Sequence, residues 1–290
     1  MLFSEYVDLW KSEARSNVGE SWRITQDKLI GLHILPVLSS DELSAIGPSH
    51  ISKVLEISQG KGHSAKTRMH LYSIMFKMFD DAVEFFELDL KNPVKKKYHR
   101  PKITKKKSKF MTLEQSILLL EYVLHSQFSH AVWIQTLSGL RVSEVLPLRW
   151  GDMDFENDQI NVVKIYNRNT KKIQDHTKNG NQVYIPMPVR LKKYLLKYRG
   201  KNDDFVIPNQ KNKMTCYFVY RRYLRNVCEK LKLPIRSAHG LRHSCTEIWV
   251  NVGASAEDLR RLLNHKSLSA TDSYIHRTDG RLNLLSKKIS

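Results

Sequence analysis

Leu71, Ile74, Met75, Met78, Phe79, Ala82, Val83 and Phe86 recur at the i, i+3, i+4, i+7 spacing of a wide apolar stripe. That pattern predicts one long amphipathic helix whose stripe is a packing face. Ser64 stands ahead of it as a cap. Shorter helices are expected over residues 3–9, 22–32 and 51–57, with Gly47-Pro48 interrupting the chain between them. Residues 1–90 therefore read as a small helical domain. Residues 91–109 (KNPVKKKYHRPKITKKKSK) hold two prolines, few apolar side chains and no acid, a composition expected to run as an extended linker. A second domain, residues 110–290, opens with Thr112-x-x-Gln115, a capping-box pattern ahead of an apolar run over 117–124. A helix over 131–137 ends at Gly139. Strand character follows at 160–165, and again at 183–185 after the turn-forming Asn179-Gly180. Helices resume over 189–198, 216–231, 238–250 and 256–263. The expected fold class is mainly α, with a small antiparallel β-sheet confined to the C-terminal domain.

Composition sharpens this picture. A chain of 290 residues with 41% hydrophobic positions has enough apolar material for two cores, and no stretch has the ~18 to 20 continuous apolar residues of a membrane span. Glu5 and Asp8 near the start do not resemble a basic, then apolar, export signal. Three cysteines (Cys216, Cys228, Cys245) are too few and odd in number for a disulfide framework. The expectation is a cytoplasmic protein without a membrane partner. The formal charge of +19 is unevenly placed: residues 1–90 carry 9 basic and 13 acidic side chains, residues 91–109 carry 10 basic and none acidic, and the remainder is strongly basic. Such a block attracts polyanions; nucleic acid, acidic lipid and acidic protein all satisfy it. Gly60-Lys61-Gly62 and Lys66 form a basic turn able to touch phosphate, but without the GxxxxGK[ST] spacing of a nucleotide site.

Candidate chemistry lies in the second domain: Arg141 after Gly139-Leu140, Lys178 beside Asn179-Gly180, His239-x-x-Arg242, His265 and Tyr274. Singly, each has a bland reading, since arginines usually lie on the surface, tyrosines pack in cores and lysines near turns are solvated. His239 and His243 at i, i+4, with Cys245, offer a metal-ligand reading. Arg242 between the histidines would repel a dication, and no HExxH glutamate is present. Together the set suits phosphodiester chemistry. Two guanidiniums can hold the non-bridging oxygens, a histidine can take the tyrosine proton, and a lysine can protonate the departing oxygen.

The stretches TLSGLRVSEVLPLRW (136–150), TKNGNQVYIPM (177–187), AHGLRH (238–243) and LLNHKSLSATDSY (262–274) resemble the catalytic boxes of the tyrosine recombinases, the phage-integrase family. ELDLKNP (87–93) resembles the end of that family's SAM-like core-binding domain. The resemblance implies two domains clamped around duplex DNA. Tyr274 would be the nucleophile, forming a 3′-phosphotyrosine, with Arg141, Arg242 and His265 on the phosphate, His239 as base and Lys178 as general acid. Glu144 would orient the site. The stretch before Lys178 is longer than the family usually has and contains Lys164, Lys171 and Lys172, so Lys171 and Lys172 remain alternatives for the lysine. No cofactor is implied.

The implied partners are duplex DNA with specific sites, a homotetramer on two such sites, and accessory DNA-bending or directionality proteins. Leu282, Leu284 and Leu285 would dock on a neighbouring subunit. Helix signals begin at once, so the resemblance is to the short form, a Xer-like enzyme or the integrase of a phage or other mobile element. DNA contacts are expected from Lys61, Lys66 and Arg68 on one face of the first domain. In the linker they are expected from Lys95, Lys96, Lys97, Lys105, Lys106 and Lys107. Two rival readings keep the fold: a type IB topoisomerase-like nicking-closing enzyme, and a non-catalytic DNA-binding protein.

Overall fold

The computed structural model describes residues 1–104, 109–175, 183–235 and 237–264, and the chain divides into two compact units, residues 1–106 and 107–290. The first unit is helical. It comprises α1 (Phe3–Glu13), α2 (Glu20–Leu29), a π-helical turn (Ile30–Ile34), α3 (Leu35–Leu38), α4 (Pro48–Gly60), α5 (Ala65–Glu84) and the short α6 (Lys96–His99). α5 is the long helix its apolar stripe predicts. Leu71, Ile74, Met75, Met78, Phe79 and Ala82 are buried, and Ser64 caps it by accepting the Thr67 amide. Gly47 and Pro48 mark the start of α4, where a proline at the first helical position forfeits no hydrogen bond.

The second predicted helix runs further than expected. The backbone from Glu20 to Leu38 stays helical through the π turn, in which the Leu35 amide reaches the Ile30 carbonyl. Pro36 comes next, with no N–H to continue an α ladder, and the widened turn lies where that donor is missing. Phe3, Tyr6 and Trp10 of α1 pack with Ile34, Met75 and Phe79 in this unit's core. Trp10 Nε1 donates to Asp81 Oδ2 at 2.7 Å, and Tyr6 Oη donates to the Met78 carbonyl.

Residues 91–109 are not extended throughout. Val94 is buried in the first unit's core, and His99 is buried with Nδ1 accepting the Lys95 amide at 2.9 Å. One apolar side chain and one imidazole suffice to seat α6 against α4, a small anchor that the average composition of the segment conceals.

The second unit comprises α7 (Leu113–Tyr122), α8 (Ser129–Ser138), α9 (Val142–Val145), β1 (Met153–Asp154), β2 (Gln159–Val162), β3 (Lys164–Asn167), β4 (Lys172–Asp175), β5 (Val183–Pro186), α10 (Val189–Leu196), α11 (Tyr217–Lys230), α12 (Ala238–Asn251) and α13 (Ala256–Leu262). Thr112 and Gln115 form the capping box of α7. The β structure is two small antiparallel sheets, β1-β2-β5 and β3-β4. The single strand expected over 160–165 is thus broken at Val163. β2 pairs with β5 through Ile160↔Ile185, while β3 turns away to form its own hairpin with Lys164 opposite Asp175. That hairpin occupies residues 164–175 of the stretch before Lys178. α8 lies at the centre of the unit, with every residue from 131 to 140 buried, packed against α12. Among the described residues no helix is long and apolar enough to cross a membrane.

Candidate active site

Three of the six proposed catalytic residues, Arg141, His239 and Arg242, lie among the described residues. Lys178, His265 and Tyr274 lie outside them, as do Lys105, Lys106 and Lys107. The site begins at the end of α8. Gly139 closes that helix in the left-handed region (φ 69°), a conformation that favours glycine. A Cβ there would sit 3.0 Å from Leu263 Cδ2 and 3.2 Å from Cys245 Sγ. The chain then delivers Arg141 to the N-cap position of α9. The Arg141 amide donates to Glu144 Oε2 at 2.7 Å, and its Nη1 pairs with Glu144 Oε1 at 2.8 Å. Glu144 is buried, whereas the Arg141 side chain is 42% exposed. The carboxylate therefore fixes one edge of a guanidinium that still faces outward.

Arg242 is the opposite case, at 3% exposure. Its Nη1 donates to the Gly139 carbonyl at 2.8 Å, and its Nη2 to the Leu263 carbonyl. A buried guanidinium is costly to desolvate without such partners, and these two carbonyls lie at the ends of α8 and α13, where helix-terminal acceptors are electronegative. Arg242 thereby ties the turn that carries Arg141 to the segment that leads to His265.

His239 stands on the first turn of α12, where Ser237 caps the helix by accepting the Gly240 amide. Gly240 has to be glycine for another reason: a Cβ there would approach Ile235 Cβ to 2.7 Å, so the helix could not enter at this angle. His239 keeps an exposed edge. Partial burial, then the charges of Arg242 and Arg141, hold its pKa below the ordinary imidazole value, which keeps it unprotonated near neutral pH. Its ring meets that of His243 edge-on, centroids 4.3 Å apart. Cys245, the third member of the metal reading, is fully buried on the side of α12 that faces Gly139. Among the described residues no group of three or more His, Cys, Asp or Glu side chains is placed to hold a metal ion.

The alternative lysines lie at the β3-β4 hairpin. Lys171 closes its turn at φ 57°, and Lys172 opposes Asn167 as the first residue of β4. Arg168 in that turn stacks on Tyr217 at the start of α11. In the first unit Lys61 and Lys66 are exposed at the α4–α5 turn, and Arg68 is half-buried and bonded to Gln59. His33 and His63 meet beside them, ring centroids 4.7 Å apart, two histidines that sequence reasoning passed over. Lys95, Lys96 and Lys97 are exposed around Tyr98, itself 73% exposed, although Lys95 Nζ also donates to the Asn92 carbonyl.

Sequence reasoning also missed the buried polar groups behind Arg141. Gln135 is fully buried and bonds the Leu140 carbonyl and the Tyr220 hydroxyl, and Trp249 Nε1 donates to the Leu137 carbonyl at 3.0 Å. The available signal was a glutamine in the middle of the apolar run of α8, since a buried amide needs partners.

Residues 109–281 match the phage integrase family, and residues 2–56 match the SAM-like N-terminal domain of phage integrases. Among curated proteins, the chain is 29% identical to tyrosine recombinase XerA of Pyrococcus furiosus over 203 residues, covering 66% of this chain and 65% of that one. It is 28% identical to a probable integrase/recombinase of Acholeplasma phage L2 over 151 residues, covering 50% and 47%. The chain thus spans between about half and two thirds of these relatives' length. Among solved structures, the Tn1549 transposon integrase in complex with transposon right-end DNA superposes with a TM-score of 0.80 at 20% identity, covering 99% of both chains.

Proposed function

The chain belongs to the phage integrase family, and from that membership we propose that it is a site-specific recombinase that integrates or excises a mobile element. In this reading duplex DNA is cleaved and rejoined through a 3′-phosphotyrosine. The Tyr274 oxygen attacks the scissile phosphorus, the P–O5′ bond breaks, the phenol proton passes to His239, and Lys178 protonates the leaving 5′ oxygen. Arg141, Arg242 and His265 stabilise the charge gathering on the non-bridging oxygens. The phosphotyrosine keeps the bond energy of the phosphodiester, so rejoining is the same reaction reversed. Exchange between two duplexes needs four such sites, hence four copies of the chain on two DNA sites.

The observation that carries this reading is the convergence of Arg141, His239 and Arg242. An outward-facing guanidinium and a buried one lie close enough to an imidazole that their charges add to its partial burial in favouring the unprotonated ring. That is the protonation state a base for a tyrosine requires.

A test starts from a library of nicked suicide duplexes with a randomised centre. DNA that stays attached to the protein after denaturation is recovered and sequenced. The reading predicts a shared recovered sequence and, between two copies of it, recombinant product. Relaxation of any plasmid without recombination would favour the topoisomerase-like activity, and binding without covalent capture a non-catalytic protein.

A further inference from the structure

The Leu140–Arg141 peptide is held at both of its polar ends. Its N–H donates to Glu144 Oε2 at 2.7 Å, and its C=O accepts from Gln135 Nε2 at 3.2 Å. Gln135 in turn is held by Tyr220 of α11, whose hydroxyl donates to Gln135 Oε1 at 2.5 Å. All three anchoring side chains are buried, Gln135 and Tyr220 completely. Fixing this peptide plane beside the α9 turn that follows it restricts the torsion between them, and so the direction in which the Arg141 side chain leaves the backbone. The partners also determine which way the Gln135 amide points. Its oxygen must face the tyrosine hydroxyl and its nitrogen the carbonyl, because a carbonyl can only accept. Tyr220 has no other evident reason to be a tyrosine: phenylalanine would fill the same core space beside Phe128, with ring centroids 5.8 Å apart in the native pair.

We propose that Gln135, oriented by Tyr220, is a positioning residue for Arg141, clamping the Leu140–Arg141 peptide from its carbonyl side as Glu144 does from its amide side. Neither Gln135 nor Tyr220 reaches substrate; both act through where Arg141 points. The functional half of this proposal rests on the recombinase reading, and the structural half does not.

Two measurements on the full chain separate the halves. In the first, hydrogen–deuterium exchange is followed on peptides covering residues 136–146, without DNA, for the parent, Gln135→Leu and Tyr220→Phe. The clamp predicts exchange at least ~10-fold faster in these peptides for Gln135→Leu, less for Tyr220→Phe, with the first unit unchanged. Unchanged exchange in Gln135→Leu would overturn the proposal whatever the protein does to DNA. In the second, the rate of covalent adduct formation is read at saturating suicide duplex recovered by the selection above. Gln135→Leu should lower that rate by about 10-fold or more while leaving the half-saturating duplex concentration alone, since a displacement of an ångström can cost up to about 100-fold. In an Arg141→Lys background the same change should cost little further, and Gln135→Leu combined with Tyr220→Phe should be no slower than Gln135→Leu alone. Equal losses in both backgrounds would reduce Gln135 to a packing residue. A parent that forms no adduct would refute the recombinase reading and leave the exchange result to decide the clamp.

Discussion

His239 carries the clearest residue-scale consequence. Partial burial and then two positive neighbours lower its pKa, so the neutral imidazole persists to a more acidic pH than the ordinary value of 6.5. A base acts unprotonated, so cleavage should hold as pH drops through 6.5 and fail only as it passes below the lowered pKa. Removing one of the positive neighbours should shift that limb upward. NMR titration of the His239 ring is expected to give a higher pKa in Arg141→Gln than in the parent; an unmoved titration would show that the two groups do not share a site. Arg141, His239 and Arg242, the proposed catalytic residues among the described ones, could be singled out in sequence by their types and by the boxes they stand in. Their supports could not. Gln135 and Tyr220 read as an interruption of one apolar run and as a core aromatic, since a hydrogen bond between α8 and α11 leaves no trace in either segment.

At the scale of elements, the site depends on how closely α8, α12 and α13 approach one another. Gly139 closes α8 at a positive φ with Cys245 and Leu263 against it, and Gly240 lets α12 press on Ile235. Gly139→Ala should cost about 1–2 kcal/mol for the left-handed backbone alone, and Gly240→Ala about 1–3 kcal/mol for overpacking. Urea unfolding followed by circular dichroism checks both, and an unshifted midpoint in either would contradict the packing described. Helices with strong apolar stripes and caps, α5 and α7 above all, were predicted correctly from sequence. The π turn before Pro36 and the break at Val163 were not, because periodicity registers that a segment is helical or extended but not a change of ladder. The anchoring of α6 was hidden for a similar reason: it rests on Val94 and His99 within a segment whose composition speaks for solvent.

For the whole molecule, the charge raises the sharpest question, since the first 90 residues are net acidic in a chain of +19. Part of that acidity is committed internally. Asp27 pairs with Arg15, and Asp81 holds both Trp10 and Lys77. Each ion pair also removes one basic side chain, so the net acidity stands, and the exposed Lys61 and Lys66 can grip DNA only where the remaining acids face elsewhere. If the linker lysines lie along DNA, replacing Lys95, Lys96 and Lys97 together by Gln should flatten the dependence of log affinity on log salt by about 2–3, at roughly 0.9 per phosphate contact. Fluorescence anisotropy with a labelled duplex reads this slope, and an unchanged slope would place those lysines off the DNA. The chain divides into two units between residues 106 and 107, inside the 91–109 stretch whose composition reads as a linker.

The proposed reaction turns on a covalent bond between Tyr274 and a 3′ phosphate. The most direct measurement is mass spectrometry of the protein–DNA adduct formed on a nicked suicide duplex, after digestion of the protein to peptides. The nucleotide is expected on the peptide containing Tyr274, attached through its 3′ phosphate, with no adduct from Tyr274→Phe. An adduct on another residue, or one formed equally by Tyr274→Phe, would contradict the proposed reaction.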